Sequence, residues 1–177
     1  MIRAGLLLAA GASRRFGPDD KLLARLRGRP LLLHAADALR QVPLDRYVAV
    51  ISNPSLGPLL EGFEVIVIPQ GGQSDSLRAG LAHLDHPDRL LIVLGDMPDV
   101  TPSLLSQVLA HASDDGPSAS HDGQHPMPPA CFPRSQLPLL AALSGDRGAA
   151  RLLRDLPPER LIAAPGQLRD IDRPDQI

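Results

Sequence analysis

Four short apolar runs, at residues 2–8, 47–51, 65–68 and 90–94, punctuate the first half of the chain, each bounded by Pro, Gly, Asp or Asn. Runs of this length with such boundaries read as strands buried on both faces. The segments between them carry helical spacing. They are residues 30–40, with Pro30 in the first turn, a short stretch at 58–60, residues 75–84, and residues 102–112 behind Thr101 as N-cap. Alternation of this kind predicts an α/β fold with a mainly parallel sheet and helices on both faces. Crossovers are expected to be right-handed, and ligands to bind at the carboxyl ends of the strands.

After Asp114 the texture changes. The stretch DDGPSASHDGQHPMPPACFPR is rich in Gly, Pro, Ser and His, with short strands expected at 118–121 and 130–132. It predicts a small β excursion near residues 117–133 that leaves the main sheet. Helical spacing returns at 135–143 and 147–156, and residues 160–163 suit one more strand. With 177 residues and no internal repeats, the chain is expected to form a single domain, residues 1–177. A chain of that size buries roughly 70% of its unfolded surface.

Composition narrows the classes of function. Aromatics make up 2% of the chain and hydrophobic residues 44%, so the core must be aliphatic and base stacking on aromatic platforms is not expected. The net charge is −2 with both signs interspersed, which leaves no broad basic face for nucleic acid. Cys131 is the single cysteine, so no internal disulfide forms. No apolar run approaches the ~18 residues of a membrane span and the N-terminus carries no signal-peptide pattern. These features together predict a cytoplasmic protein with no membrane partner.

Against that background LAAGASRRFGPDDK, at positions 8–21, stands out. If the first strand ends at Ala10-Gly11, the backbone amides of residues 11–15 form a nest for a polyphosphate, where glycine avoids a Cβ clash. Arg15 is placed to fork onto terminal phosphate oxygens, and Lys21 to reach a more internal phosphate. Seventeen of the eighteen basic residues are arginine, so the lone lysine suggests a site that wants a compact ammonium. The segment contains no GxxxxGK[ST], no GxGxxG and no GxSxG, and a surface turn with solvated arginines is the alternative.

Two acidic motifs complete the constellation. LLIVLGDMPDV, at 90–100, ends a strand at Gly95 and presents Asp96 at the carboxyl edge. A carboxylate beside cations and a polyphosphate implies Mg²⁺, with Asp96 as its first ligand; capping of the next helix is the other reading, for which Asp99 is better placed. In DIDRPDQI, at 170–177, Asp170 and Asp172 point the same way on an extended segment that Pro174 ends. Either returns to the metal, or the pair caps a helix start.

In combination, LAAGASRRFG with Lys21, GRPLL at 28–32, SDSLRAGL at 74–81, GDMP at 95–98, GDRGAA at 145–150 and DIDRPD at 170–175 resemble the molybdenum cofactor nucleotidyltransferases. Ala10, GDRGA and the DID terminus are closest to the CTP:molybdopterin cytidylyltransferase branch. The resemblance implies a Rossmann-like sheet, Mg²⁺, and attack by a substrate phosphate on the α-phosphate of CTP with loss of pyrophosphate. GTP as donor, or another acceptor, is the alternative. It implies that Ala9, Ala10, Gly11, Ala12, Ser13, Arg15, Lys21, Gly72, Ser76 and Gly95 bind the nucleotide and that residues 71–76 lie against the base. Lys21, Arg15 and Asp96 would act on the reacting phosphates. Asp96 and Asp172 would hold the metal, with Asp170 the less favoured second ligand. The partners implied are a nucleoside triphosphate, a molybdopterin-like phosphate acceptor, and a molybdoenzyme or its chaperone.

Two departures fall on the acceptor side. Met127, Pro128, Pro129, Ala130, Cys131 and Phe132 stand where that branch reads GHPVLF, and Ala150 replaces the final arginine of GDRGAR. Two other classes compete with transfer: a nucleotide-binding accessory protein without catalysis, and a small-molecule kinase that would leave a nucleoside diphosphate. His121, His125 and Cys131 lack zinc-site spacing, and His34 reads as a packed helix residue.

Overall fold

A computed structural model of the chain describes residues 1–145 and 148–177. Its centre is a seven-stranded sheet in the order β5-β4-β1-β6-β8-β7-β9. The strands are β1 (Arg3–Ala9), β4 (Arg46–Ile51), β5 (Glu64–Val67), β6 (Arg89–Leu94), β7 (Ser118–His121), β8 (Pro126–Pro133) and β9 (Leu161–Ala163). β5, β4, β1 and β6 are mutually parallel, and β8 is the one strand that pairs antiparallel to its neighbours. The four apolar runs are therefore these four strands, displaced by one residue at most ends. A separate two-stranded hairpin, β2 (Arg25–Leu26) and β3 (Arg29–Pro30), turns through Arg27 and Gly28, both at positive φ.

Period-2 alternation divides each central strand between two cores. Leu7, Ala9, Ala49, Ile51, Leu91 and Val93 pack under α1 (Leu31–Arg40) and α3 (Pro102–His111). Ala4, Leu6, Leu8, Val48, Val50, Leu90 and Ile92 face α2 (Gln73–His83) and α4 (Leu137–Ala141). Helices thus cover both faces, as the alternation predicts. The Oγ1 of Thr101 accepts from the Leu104 amide at 3.2 Å, the expected N-cap of α3. Pro30 sits at the N-cap of α1, one position before its first turn. No helix among the described residues is long and apolar enough to cross a membrane.

The region at 117–133 differs from expectation in one respect. β7 and β8 form a hairpin, but β8 pairs along β6 from Arg89↔Pro133 to Ile92↔Ala130, so the excursion extends the main sheet. The reason lies in its inward residues: Ala119, Ala130, Cys131 and Phe132 are all fully buried and need the helices' cover. The helical stretch expected at 147–156 is a 3₁₀ segment, Gly148–Leu153, and Arg147 lies outside the described residues. Likewise residues 135–143 divide into a 3₁₀ turn (Arg134–Gln136) and the short α4.

Strand order and chain order together fix where a ligand can enter. From β1 the chain runs outward through β4 and β5, then crosses back to β6 on the other side of β1. The carboxyl ends of β1 and β6 flank that reversal, the crevice where open α/β sheets bind ligands. Close approach of α2 to β1 shapes the same region: a Cβ on Gly80 would lie 2.6 Å from Cδ1 of Leu6, which is fully buried. Gly80→Val is expected to destabilise the fold by about 1–3 kcal/mol, as overpacking does. Urea unfolding of the two proteins measures the difference.

Candidate functional site

The segment after β1 carries Ala9 and Ala10, nearly buried, into Gly11, Ala12 and Ser13, which turn out toward solvent. With Lys21, Gln73, Ser76 and Asp96 the first four line a cleft of about 120 Å³ at the sheet edge. Ser13, Gly11 and Ala12 continue into a hollow of about 510 Å³ walled by Arg14, Asp19, Ser52, Asn53 and Gln70. A third hollow adds Gly71 and Gly72, the N-terminal cap of α2. One continuous groove therefore runs from the carboxyl end of β6, past the glycine loop, to the end of β4. Gly95 itself lines none of these hollows: it is buried behind them, donates from its amide to the Leu8 carbonyl at 2.9 Å, and a Cβ there would meet Leu32 at 2.9 Å.

Lys21 opens a 3₁₀ turn whose cap is Asp20. One Asp20 oxygen accepts from the Leu22 amide at 2.9 Å, and the other from Nδ2 of Asn53 at 2.9 Å. The end of β4 thus fixes the turn that aims Lys21 inward. Its Nζ donates to Oδ2 of Asp96 at 2.8 Å and to Oδ1 of Asp172 at 3.2 Å. Burial alone would lower the pKa of this ammonium, which is 12% exposed, but the charge and hydrogen bond of Asp96, then those of Asp172, outweigh it and raise the pKa.

The acids come from distant parts of the chain, its middle and its C-terminal segment. The Asp96 carbonyl accepts from the Ile171 amide at 3.0 Å, and Ile171 is fully buried in the core under α1 and α3. With Ile171 turned inward, its neighbours Asp170 and Asp172 flank it beside Asp96. One oxygen from each of Asp96, Asp170 and Asp172 lies within 4.8 Å of the others, and no other group of three His, Cys, Asp or Glu side chains among the described residues is so arranged. Loss of solvent, then the charges of Asp172 and Asp96, push the Asp170 carboxyl upward. Three hard oxygen donors converging on a compact cation are the donor set that Mg²⁺ or Mn²⁺ takes. The chemistry of the cluster fits a divalent ion.

Arg15 is peripheral. Its side chain is 77% exposed and meets only Asp172, at 3.5 Å. Arg14, not Arg15, lines the two hollows, because neighbouring residues in the turn point to different sides. Gln73 lies in the 71–76 loop expected against the base, whereas Gln70, Asp20 and Asn53 are groove residues to which no sequence motif assigns a role. The Asn53-Pro54 pair at the end of a predicted strand was the available signal. Asp99 does not cap α3, since Thr101 does; it accepts from Nη2 of Arg27 at 2.8 Å and from Nε of Arg169, tying β2-β3 to the C-terminal segment. Burial works against the Asp99 charge, but bonds from Arg169 and Arg27 keep its pKa low.

Farther along the same edge, the tip of the β7-β8 hairpin faces the 3₁₀ segment across a hollow of about 720 Å³ lined by Gln124, His125, Pro126, Ala150, Arg151 and Arg154. Arg151 lies in the 3₁₀ segment and Arg154 just past its end, and neither pairs with a carboxylate among the described residues. Of the GDRGAA motif, Asp146 and Arg147 lie outside the described residues. Cys131 is fully buried on β8, where burial pushes its thiol up to about 12, whereas His125 is exposed at the hairpin tip. His34 places Nε2 2.9 Å from the Leu26 carbonyl, a packing contact between α1 and β2.

Residues 5–161 match the profile of the MobA-like NTP transferase domain. A probable molybdenum cofactor guanylyltransferase of Pyrococcus horikoshii is 34% identical over 110 residues, covering 58% of this chain and 53% of the relative. The 2-C-methyl-D-erythritol 4-phosphate cytidylyltransferase of Chlamydia felis is 30% identical over 113 residues, 63% of this chain and 53% of the relative. The chain thus spans about half the length of these curated relatives. A crystal structure of Rv0371c from Mycobacterium tuberculosis H37Rv in complex with manganese superposes with a TM-score of 0.82 at 26% identity, covering 99% of this chain and 95% of that one.

Ile171, with Leu168 before it, holds the acidic segment to the core. Ile171→Ala is expected to cost about 2–4 kcal/mol, the range for a large-to-small change at a closed site. Thermal and urea unfolding of the ligand-free protein check it.

Proposed function

The chain belongs to the MobA-like NTP transferase family, and from that premise we propose that it transfers CMP from CTP to a phosphate-bearing acceptor of the molybdopterin type, releasing pyrophosphate. One observation carries the reading: Lys21, Asp96 and Asp172 meet within hydrogen-bonding distance at the floor of a groove whose rim is the glycine loop after β1. A triphosphate laid along that rim meets the amides of residues 11–13 and the guanidinium of Arg14. Its α-phosphate comes to rest over Lys21, whose flexible stem lets the ammonium pass from the carboxylates to a phosphate oxygen. Asp96 and Asp172, with Asp170 beside them, hold the divalent ion, Mg²⁺ in this reading, which when bound neutralises phosphate charge as a Lewis acid.

The reaction needs alignment more than covalent help. An oxygen of the acceptor phosphate attacks the α-phosphorus, and the bond from that phosphorus to the pyrophosphate oxygen breaks. Lys21 stabilises the negative charge that builds on the α-phosphate, and Arg15, at the mouth, meets the departing pyrophosphate. Arg151 and Arg154, which pair with no carboxylate among the described residues, offer the acceptor a cationic surface beside His125, one strand beyond the β6 edge. That surface supports an anionic acceptor even though the local motifs depart from the cytidylyl pattern.

At the far end of the groove Ser52, Gln70, Gly71 and Gly72 offer hydroxyl, amide and backbone groups that match the mixed donor and acceptor edge of cytosine. Asp20 is committed to Leu22 and Asn53. GTP is the second reading: exposed Asp19 on the same wall is a carboxylate that could accept from the guanine N1–H and N2–H, and the Pyrococcus horikoshii relative is named a guanylyltransferase. A cytoplasmic location suits the lone reduced cysteine and the phosphate substrates.

Pyrophosphate release from CTP and from GTP, with Mg²⁺ and molybdopterin, tests the proposal; faster release from CTP is expected. Lys21→Ala and Asp96→Ala each lose at least about a hundredfold in kcat, the loss on removing one preorganised charge-stabilising group. The Arg151→Ala, Arg154→Ala double variant raises KM for the acceptor about tenfold and leaves that for CTP unchanged, as losing charge-assisted bonds to one substrate requires. Tight nucleotide binding without release for any triphosphate would make the chain a binding module, and CDP as product would make it a kinase.

A further inference from the structure

Asp170 and Asp172 sit on a stretch that joins no strand or helix. Between β9 and a final 3₁₀ turn (Pro174–Gln176), residues 167–173 contribute nothing to either sheet. Their backbone is tied to the site by the single bond from the Ile171 amide to the Asp96 carbonyl. Three carboxylates within 4.8 Å repel one another, and with one backbone tie the segment depends on side chains to resist that repulsion, among them buried Leu168 and Ile171 and the Lys21 ammonium between Asp96 and Asp172.

One further side chain restrains the backbone itself. Oε1 of Gln176 accepts from the Asp172 amide at 2.7 Å and from the Arg173 amide at 2.8 Å, while its Nε2 donates to the Asp170 carbonyl at 3.2 Å. The carboxamide therefore bridges the backbone on both sides of Ile171 and touches neither carboxylate. Its own place is set by a bond from its amide to the Arg173 carbonyl at 3.1 Å and by Arg169, whose Nη1 reaches the Gln176 carbonyl at 3.4 Å. Arg169 is in turn held by Asp99 at the start of the loop into α3.

We propose that Gln176 is a positioning residue: it clamps the backbone of residues 170–173 so that Asp170 and Asp172 stand beside Asp96 before a divalent cation arrives. The proposal rests on reading these three acids as the metal site. Preorganisation of this kind contributes to affinity because the donors need not be gathered against their repulsion at the moment of binding. A residue one shell behind the ligands typically changes metal affinity by about 10–100-fold.

The test is a Mn²⁺ titration of the full chain without nucleotide, followed by electron paramagnetic resonance of the free ion. Gln176→Ala is expected to raise the Mn²⁺ Kd at least about tenfold with the far-ultraviolet circular dichroism unchanged. Gln176→Glu, which keeps an oxygen for both amide protons, recovers affinity relative to alanine. In turnover the alanine variant responds to added metal, so raised Mn²⁺ restores its rate. A folded Gln176→Ala protein with the wild-type Kd overturns the clamp. Should that variant not fold, hydrogen exchange of the wild type decides: by linkage Mn²⁺ must tighten the same clamp and slow exchange of the Asp172 and Arg173 amides, and unaltered exchange overturns it. Wild-type protein that binds no Mn²⁺ overturns the metal reading itself, a result distinct from an unchanged variant.

Discussion

An ammonium held between two carboxylates that the chain brings from residues 96 and 172 is the interaction on which the site depends. Neither acid belongs there alone. Asp96 is delivered by a rigid sheet edge, because β6 is buried on both sides and ends at Gly95, which has no room for a side chain. Asp172 is delivered by a segment without regular structure, fixed by buried Leu168 and Ile171 and a few hydrogen bonds. Lys21 neutralises part of the charge that would otherwise drive these elements apart. In the proposed reaction the same ammonium, a counter-ion to these two acids in the structure, would become a ligand for phosphate.

Such a double use would account for the chain's only lysine standing at this position. A guanidinium could pair with the two acids as well, but its planar fork would bind both at once and release them reluctantly. An ammonium on four methylenes can trade one oxygen for another with little change in geometry. The Asp20 and Asn53 bonds that fix the start of the Lys21 turn hold the stem and leave the tip free. Rigid backbone with a mobile charge is what a site for nucleotidyl transfer requires, since the charge to be stabilised moves during the reaction.

Much of this is legible in the sequence for a physical reason: parallel strands covered on both faces read as unbroken apolar runs, so β1, β4 and β6 announce themselves, whereas β5 reads the same way but lies at the sheet edge with Val65 and Val67 exposed, not buried on both faces as its run predicts. Family membership, and the Rossmann-like architecture that goes with it, followed from motifs at strand ends. The antiparallel hairpin was recognisable as strands but not as part of the main sheet, because its pairing with β6 is a long-range choice made by Ala130, Cys131 and Phe132 in the core. Within the site, strand-end positions such as Gly95 and Asp96 could be placed from their run. Side chains in the loop could not: Arg14 and Arg15 are adjacent and equivalent in composition, yet only Arg14 faces the groove. The convergence of Asp170 and Asp172 on Asp96 depends on which way Ile171 turns, and Gln176 enters only through hydrogen bonds to backbone that no residue pattern displays.

The exchange of partners by Lys21 is the most exposed part of this account. A crystal of the protein grown with a non-hydrolysable CTP analogue and Mn²⁺, with data collected at the manganese absorption edge, tests it directly. The account predicts an anomalous peak bounded by Asp96, Asp172 and triphosphate oxygens, and Nζ of Lys21 shifted from the carboxylates onto the α-phosphate. Manganese bound elsewhere, or Lys21 still seated on Asp96 with the nucleotide in place, would contradict it.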